Sequence, residues 1–186
     1  MMKYNLYVED VSVEFERNEH DHIVFTVTGL DFTVEQEIKR LAAAGFRMVN
    51  LACLRSKKKD GYDKKHRLVA NQIYKIALIP AREIKSDADR TIDALLTCGI
   101  EKYGYKKPLA GIVPRIRETV SDEQMEKMGF WYIIAPHDTI IEDSGGSPVV
   151  LSACRYGDGR WLCASLVPPG YLWDDGGAFA FLVPAS

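Results

Sequence analysis

The stretch VVLSACRYGDGRWLCASLV, residues 149–167, decides the fold. It holds two apolar runs on either side of Gly157-Asp158-Gly159, and an aspartate–glycine turn between such runs predicts a β-hairpin. A two-residue turn at Asp158-Gly159 would set Cys154 directly opposite Cys163, in the closer kind of cross-strand pair. Two free thiols and a disulfide are both compatible with that spacing, so the sequence leaves both open.

Strand signals continue beyond this hairpin to the end of the chain. Turn residues occur at 168–170 (Pro-Pro-Gly) and at 174–177 (Asp-Asp-Gly-Gly), and residues 178–183 are apolar and aromatic. Proline and glycine interrupt regular structure, so each cluster predicts a reversal of the chain. We therefore predict a C-terminal β-meander, in which consecutive strands pair with one another.

The first two-thirds of the chain carries helix signals. Thr33 and Gln36 have the spacing of a capping box, and the apolar stripe behind them predicts a helix over residues 34–44. Ser121 and Gln124 repeat the capping-box spacing before a short helix, and Ser86-Asp87 can open another.

Runs of β-branched and aromatic residues predict further strands at 23–30, 46–54, 73–79 and 130–135, and residues 4–15 alternate as the first arm of an N-terminal hairpin. The run 130–135 is too uniformly apolar to face water, so it should be a central strand. Together these elements predict a single α+β domain over residues 1–186. We expect a mostly antiparallel sheet with two or three helices on one face.

The composition narrows the function classes. With 47 % hydrophobic and 27 % charged residues, the chain is globular rather than disordered. The sequence shows neither a signal peptide nor a transmembrane run, which predicts a cytoplasmic protein with reduced thiols and no membrane partner. Neither a glycine-rich phosphate loop before a helix nor a Cys-x-x-Cys pair occurs, so we predict no cofactor and no metal.

One segment is strongly charged: residues 55–67 read RSKKKDGYDKKHR, and we call them the basic segment. Seven Lys/Arg and two Asp give it a local charge of +5, whereas the whole chain has a net charge of −2. Asp60-Gly61 lies between the strands predicted at 46–54 and 73–79, which favours a long hairpin with this segment as its tip.

The basic segment is the leading candidate site. Its ammonium groups would bind an anionic partner, either an acidic protein surface or a nucleic acid with a base stacked on Tyr62. The competing interpretation is a solvated edge that blocks association between sheets. The predicted contact residues are Lys57, Lys58, Lys59, Tyr62, Lys64, Lys65 and Arg67.

A second candidate is Pro136-His137-Asp138-Thr139-Ile140, directly after the predicted central strand. It resembles one His-x-Thr motif of the two-histidine phosphoesterases, where two such motifs face each other. The resemblance implies that each histidine acts as a general acid or base and each threonine binds phosphate. No second such motif occurs, so catalysis would require a histidine or carboxylate beside His137. Without one, His137 simply hydrogen-bonds at the end of a strand.

Two further features have weaker functional interpretations. His20-Asp21-His22 could place two imidazoles on one face of a strand as metal ligands, but no third ligand can be identified, so we predict a turn. Trp173 precedes Asp174-Asp175 and is predicted to be partly exposed, where it could anchor self-association.

The sequence therefore favours a cytoplasmic, non-enzymatic binding or regulatory protein that contacts its partner through the basic segment. The alternative is a small hydrolase or phosphoesterase-like enzyme using His137 and Thr139. A third hypothesis is a structural subunit that self-assembles near Trp173, which leaves a homo-oligomer open.

Overall fold

The computed structural model describes residues 15–57, 59–141, 143 and 145–185, with only the backbone for Ala52 and Cys53. These residues form five α-helices and nine strands, and the strands join in one mixed sheet, so the chain is α+β. The first arm of the predicted N-terminal hairpin, apart from its last residue, lies outside the described residues.

The helices are α1 Val34–Ala43, α2 Tyr62–Lys65, α3 Ile92–Thr97, α4 Ile112–Thr119 and α5 Asp122–Met128. Short 3₁₀ helices occupy Leu51–Arg55, Ala81–Glu83 and Asp87–Asp89, and a π-helical turn occupies Cys98–Lys102. The strands are β1 Glu16–Arg17, β2 Ile23–Thr28, β3 Arg47–Val49, β4 Ile73–Pro80, β5 Tyr132–Ile134, β6 Ile140–Ile141, β7 Pro148–Tyr156, β8 Gly159–Leu166 and β9 Gly177–Leu182.

The strand order is β1-β2-β4-β9-β5-β7-β8-β3, and β6 pairs with β7. Strands β3 and β8 pair in parallel, as do β5 and β9, whereas the other six pairs of described strands are antiparallel. The sheet is mostly antiparallel but mixed. Strand β5 is fully buried and central, as its uniformly apolar sequence predicts.

Both predicted capping boxes form. The Thr33 hydroxyl accepts from the Gln36 N–H at 3.3 Å and the Gln36 side chain accepts from the Thr33 N–H at 2.8 Å, which starts α1. Ser121 and Gln124 make the same reciprocal pair at the start of α5. The short helix α5 then ends at Gly129, whose φ of +76° favours glycine.

The hairpin β7–β8 exists, but its predicted register is wrong. The turn is Gly157-Asp158, so Tyr156 pairs with Gly159 and Cys154 lies opposite Trp161. Gly159 belongs to the strand with a φ of +141°, a backbone conformation that residues with a side chain rarely adopt. Cys163 therefore faces Ser152 instead of Cys154.

The predicted meander forms only in its first two strands. Strand β9 does not pair with β8; it crosses the molecule and inserts between β4 and β5. In the connection between β8 and β9, Trp173 exchanges two hydrogen bonds with Arg90. The Trp173 N–H donates to the Arg90 carbonyl at 3.0 Å, and Arg90 Nε donates to the Trp173 carbonyl at 2.9 Å.

The long hairpin predicted for residues 46–79 is also wrong. Strand β3 lies at one edge of the sheet beside β8, whereas β4 lies between β2 and β9. Asp60-Gly61 does not turn between strands, because Gly61 is the N-cap of α2. The basic segment is consequently a folded connection between two distant strands.

The helices lie on both faces of the sheet, not on one. Along β4, Ile76 and Leu78 belong to one buried cluster and Ala77 and Ile79 to a second, so both faces of this strand are covered. The first cluster includes side chains from α1, α4 and α5, and the second includes Leu95 of α3.

Candidate anion-binding surface

The basic segment is ordered by local hydrogen bonds. It runs from the end of the 3₁₀ helix Leu51–Arg55 through α2, where the Gly61 carbonyl accepts from the N–H groups of Lys64 and Lys65 at 3.0 and 3.2 Å. The His66 N–H closes the turn by donating to the Tyr62 carbonyl at 2.9 Å. Its charged side chains therefore project from a fixed backbone.

A surface pocket of about 570 Å³ opens between the basic segment and the start of α1, and we call it the α1 pocket. Its volume is in the range of small-ligand sites. It is lined by Val34, Glu35, Arg55, Ser56, Lys57, Asp63 and Lys64.

The two carboxylates in the α1 pocket already have partners. Asp63 Oδ1 accepts from the Val34 N–H at 2.8 Å, which satisfies a free amide at the start of α1. Glu35 forms a two-pronged ion pair with Arg55, and this pairing lowers the pKa of the Glu35 carboxyl. Neither group is free to balance the lysines of the pocket.

Asp143 fixes the far wall of the α1 pocket. Its carboxylate accepts from the Ser56 hydroxyl at 3.0 Å and from the Lys57 N–H at 3.2 Å. The contact holds residues 56 and 57 against the loop after β6.

Three lysines of the basic segment, Lys57, Lys59 and Lys64, are exposed, and none forms an ion pair with a carboxylate that the structure describes. By contrast, Lys65 pairs with Asp60 at 2.8 Å and Arg67 pairs with Asp31 at 2.7 Å. Lys58 lies outside the described residues. The positive charge available to a partner is therefore concentrated on Lys57, Lys59 and Lys64.

Tyr62 does not lie on this surface. Only 2 % of the residue is exposed, because it packs into the first buried cluster beneath α2. Burial raises the pKa of its hydroxyl, and the nearby Glu37 carboxylate acts in the same direction. In this structure Tyr62 is unavailable for stacking on a nucleic acid base, which removes one predicted contact.

A buried ionic cluster supports the surface from below. Arg115 Nη2 donates to both oxygens of Glu37, at 2.7 and 2.9 Å, and Arg40 Nη2 donates to Glu37 at 2.9 Å. Glu37 and Arg115 are both 4 % exposed. The cluster joins α1, which forms one side of the pocket, to α4.

His137 does have an imidazole neighbour, His66, with ring centroids 4.8 Å apart. However, both rings are enclosed, with His137 fully buried and His66 2 % exposed. His137 Nε2 accepts from the Leu151 N–H at 3.0 Å, so its Nδ1 carries the proton and donates to the Asp138 carbonyl at 2.6 Å. Both nitrogens of this ring are occupied by backbone groups.

The two histidines are held neutral. Burial lowers the pKa of His137 to about 3 and that of His66 to about 4, and the proximity of His66 lowers the His137 pKa further. Thr139 lines a separate shallow pocket of about 240 Å³ with Thr91, Pro168 and Tyr171, which His137 does not line. At this motif, therefore, the structure does not place a histidine that is free to act as a general base in the same pocket as Thr139.

His22 is the centre of a hydrogen-bonded cluster that the sequence did not reveal. The side-chain amide oxygen of Asn18 accepts from the N–H groups of His20 and His22. The amide nitrogen of the same side chain therefore donates to the Tyr105 hydroxyl, at 2.6 Å. Tyr105 can then donate to His22 Nδ1 at 2.7 Å, and His22 Nε2 can donate to Glu83 at 3.0 Å. Tyr103 and Tyr105, two positions apart in the sequence, were the signal that could have indicated this cluster.

This cluster uses both nitrogens of His22, so the paired-histidine metal site considered for His20 and His22 is not formed. Across the described ranges, no group of three or more potential ligands is placed to hold a metal ion. Trp173, predicted to be partly exposed, is 8 % exposed and packs against Tyr132 with ring centroids 5.3 Å apart.

No helix in the described part of the chain has the length and apolar character needed to cross a membrane. No protein-family model, curated protein or solved structure matches the chain.

Proposed function

We propose that this protein is a non-enzymatic binding or regulatory protein that holds an anionic partner on the basic segment. The observation that carries the proposal is the set of three exposed ammonium groups, on Lys57, Lys59 and Lys64, without ion-pair partners among the described carboxylates. Two of them line the preformed α1 pocket. The cytoplasmic location stays a prediction from the sequence.

An acidic protein segment fits this surface better than a nucleic acid does. The α1 pocket has room for single carboxylate side chains, whereas a nucleic acid presents a continuous line of phosphates. Tyr62 is buried, so it offers no stacking platform for bases. We therefore expect a partner that presents separated carboxylates to the lysines.

Fluorescence anisotropy with a labelled oligoglutamate peptide and a labelled single-stranded oligonucleotide tests the proposal. The triple variant Lys57→Gln, Lys59→Gln, Lys64→Gln should weaken peptide binding by about tenfold or more, since each lost charge pair contributes roughly 0.5–1 kcal/mol. Binding should also weaken as salt rises, because exposed charges are screened.

The matched control is the triple variant Lys75→Gln, Lys85→Gln, Lys106→Gln. These lysines are also exposed and form no ion pair with a described carboxylate, and the variant makes the same change in net charge elsewhere. It should bind within about twofold of the unmodified protein, because screening confines charge effects to roughly 10 Å. Equal losses in both variants would show that net charge alone drives binding and would refute a site on the basic segment.

A further inference from the structure

Two free thiols, Cys154 and Cys163, lie on the adjacent strands β7 and β8. Cys163 is directly opposite Ser152, and Ser152 and Cys154 share a face because side chains alternate along a strand. Cys154 and Cys163 are therefore diagonal neighbours on one face of the sheet. We call them the dithiol pair.

The diagonal placement brings the two sulfurs close without joining them. Diagonal Cα atoms in an antiparallel pair are about 7–8 Å apart, with the Cβ atoms somewhat closer. A disulfide needs Cα atoms within about 7 Å, so closure requires the strands to approach by on the order of 1 Å. Such a bond is within reach of a small local adjustment of the hairpin.

The surroundings of Cys154 are polar, unlike those of an inert core thiol. The Ser152 hydroxyl lies 3.4 Å from the Cys154 sulfur and 3.2 Å from the Ser165 hydroxyl. The Cys163 thiol and the Tyr156 hydroxyl also interact with that sulfur. A hydroxyl that donates to a sulfur stabilises its thiolate, which is the reactive form of cysteine.

The pKa values of the two thiols are shifted in opposite directions. Interaction with the Cys163 thiol lowers the pKa of Cys154, against the effect of burial, and the same interaction raises the pKa of Cys163. Cys98 provides a contrast, because burial raises the pKa of its thiol although it is more exposed than Cys154. Exposure alone would rank the reactivity of these two residues in the opposite order.

We propose that the dithiol pair is a redox modification site, at which hydrogen peroxide converts Cys154 and Cys163 into an intramolecular disulfide. The Cys154 thiolate attacks one peroxide oxygen, the O–O bond breaks, and a sulfenic acid and hydroxide form. The Cys163 sulfur then attacks the Cys154 sulfur, the S–O bond breaks, and the leaving hydroxide takes the Cys163 proton as water. Overall, two thiols lose two electrons and peroxide is reduced to two waters.

Burial determines which oxidant can reach the site. Cys154 is 4 % and Cys163 is 6 % exposed, so a molecule the size of peroxide can approach by small fluctuations, whereas glutathione disulfide is too bulky. The site thus differs from one that equilibrates with the glutathione pool.

Peptide mass spectrometry of the full-length protein tests the proposal. All samples carry Cys53→Ser, so the thiols followed are Cys98, Cys154 and Cys163. Trypsin cleaves after Arg155 and Arg160, which places Cys154 and Cys163 on separate peptides. After treatment with peroxide, alkylation of the remaining thiols and digestion, we expect a disulfide-linked pair of these peptides, and none after treatment with glutathione disulfide.

The oxidation rates of single thiols and two Cys→Ser variants test the order of the steps. In folded protein, the Cys154 thiol should react with peroxide about tenfold faster than that of Cys98, as expected for a larger thiolate fraction. Cys163→Ser should stop the reaction at a sulfenic acid at residue 154, which dimedone captures once peroxide has been removed and the protein has been unfolded in urea. Cys98→Ser should leave disulfide formation unchanged.

Two results would overturn the proposal. One is oxidation of Cys98 before Cys154 in the folded Cys53→Ser protein, which requires no further variant. The other is a Cys154–Cys163 disulfide that forms only in urea, since that would show that the folded hairpin prevents closure.

Discussion

At the scale of single residues, His137 shows how a buried ring can hold two backbone groups. Replacement by leucine leaves the Leu151 N–H and the Asp138 carbonyl without their partners. The Leu151 N–H is buried, whereas Asp138 is exposed, so His137→Leu should destabilise the fold by about 1–3 kcal/mol, the cost of one unsatisfied buried polar group. Urea unfolding followed by circular dichroism measures the change.

Thr139→Ala is the control for this prediction. Thr139 is only half-buried, so its loss should lower stability by about 0.5 kcal/mol or less, as for most surface substitutions. A small effect of His137→Leu would show that the backbone groups find other partners, and that the ring is less constrained than its hydrogen bonds indicate.

The sequence predicted the exposure of the charged residues correctly but that of two aromatic residues poorly. The described lysines of the basic segment, Lys57, Lys59, Lys64 and Lys65, lie at the surface, whereas Tyr62 and Trp173 are buried. Both aromatic residues lie beside charged neighbours in the sequence, which favoured exposure. Their burial depends on contacts with distant residues, such as that of Trp173 with Tyr132, and no local pattern shows these.

At the scale of elements, the pairing of α1 with α4 depends on Glu37. This carboxylate accepts from Arg115 and Arg40 inside the protein. Glu37→Ala should destabilise the fold by about 3 kcal/mol, because the buried Arg115 then keeps only Glu118 as a partner, at 3.1 Å. Denaturant titration of the purified variant gives the value.

Glu35→Ala on the same helix is the matched control. Its pair with Arg55 is exposed, with 63 % of the Glu35 side chain accessible, so the loss of stability should be small beside that of Glu37→Ala. Similar losses in the two variants would contradict the distinction between buried and exposed ion pairs on α1.

Elements defined by neighbouring residues were predicted well, and those defined by distant partners were not. The capping boxes of α1 and α5 join residues three positions apart, so the sequence contains the whole interaction. Strand partners lie far apart in the chain, and Asp60-Gly61 can equally begin a helix or turn a hairpin. The meander was wrong for the same reason, because the place of β9 depends on β4 and β5.

The candidate site likewise has one feature that the local sequence predicts and one that depends on distant contacts. The sequence predicts the charge of the basic segment, but it does not predict the α1 pocket. Its walls are set by contacts across the chain: Asp63 reaches Val34 over 29 positions, and Asp143 reaches Ser56 over 87. The lysines were therefore predictable as a patch, and their arrangement around a cavity was not.

At the scale of the whole molecule, the enclosed His66–His137 pair should make folding sensitive to mild acid. Both imidazoles are neutral in the folded protein, with pKa values of about 4 and about 3, whereas an unfolded histidine has a pKa of about 6.5. As the pH falls below 6.5, the unfolded chain binds protons that the folded protein excludes. The stabilisation is complete above pH 6.5 and is lost progressively as the pH falls toward the folded pKa values.

The free energy of unfolding should therefore fall between pH 6.5 and pH 5 for each of the two histidines, with a slope that rises toward about 1.4 kcal/mol per pH unit as the unfolded imidazole becomes protonated. His22, whose pKa is also lowered by burial, acts in the same direction. Carboxylates with lowered pKa values, such as Asp138, contribute only nearer their unfolded pKa of about 4, so this window isolates the histidines. Urea titrations at several pH values give the slope, which His66→Asn should reduce. A flat profile for the unmodified protein over this window would mean that the buried pair takes up protons within the fold.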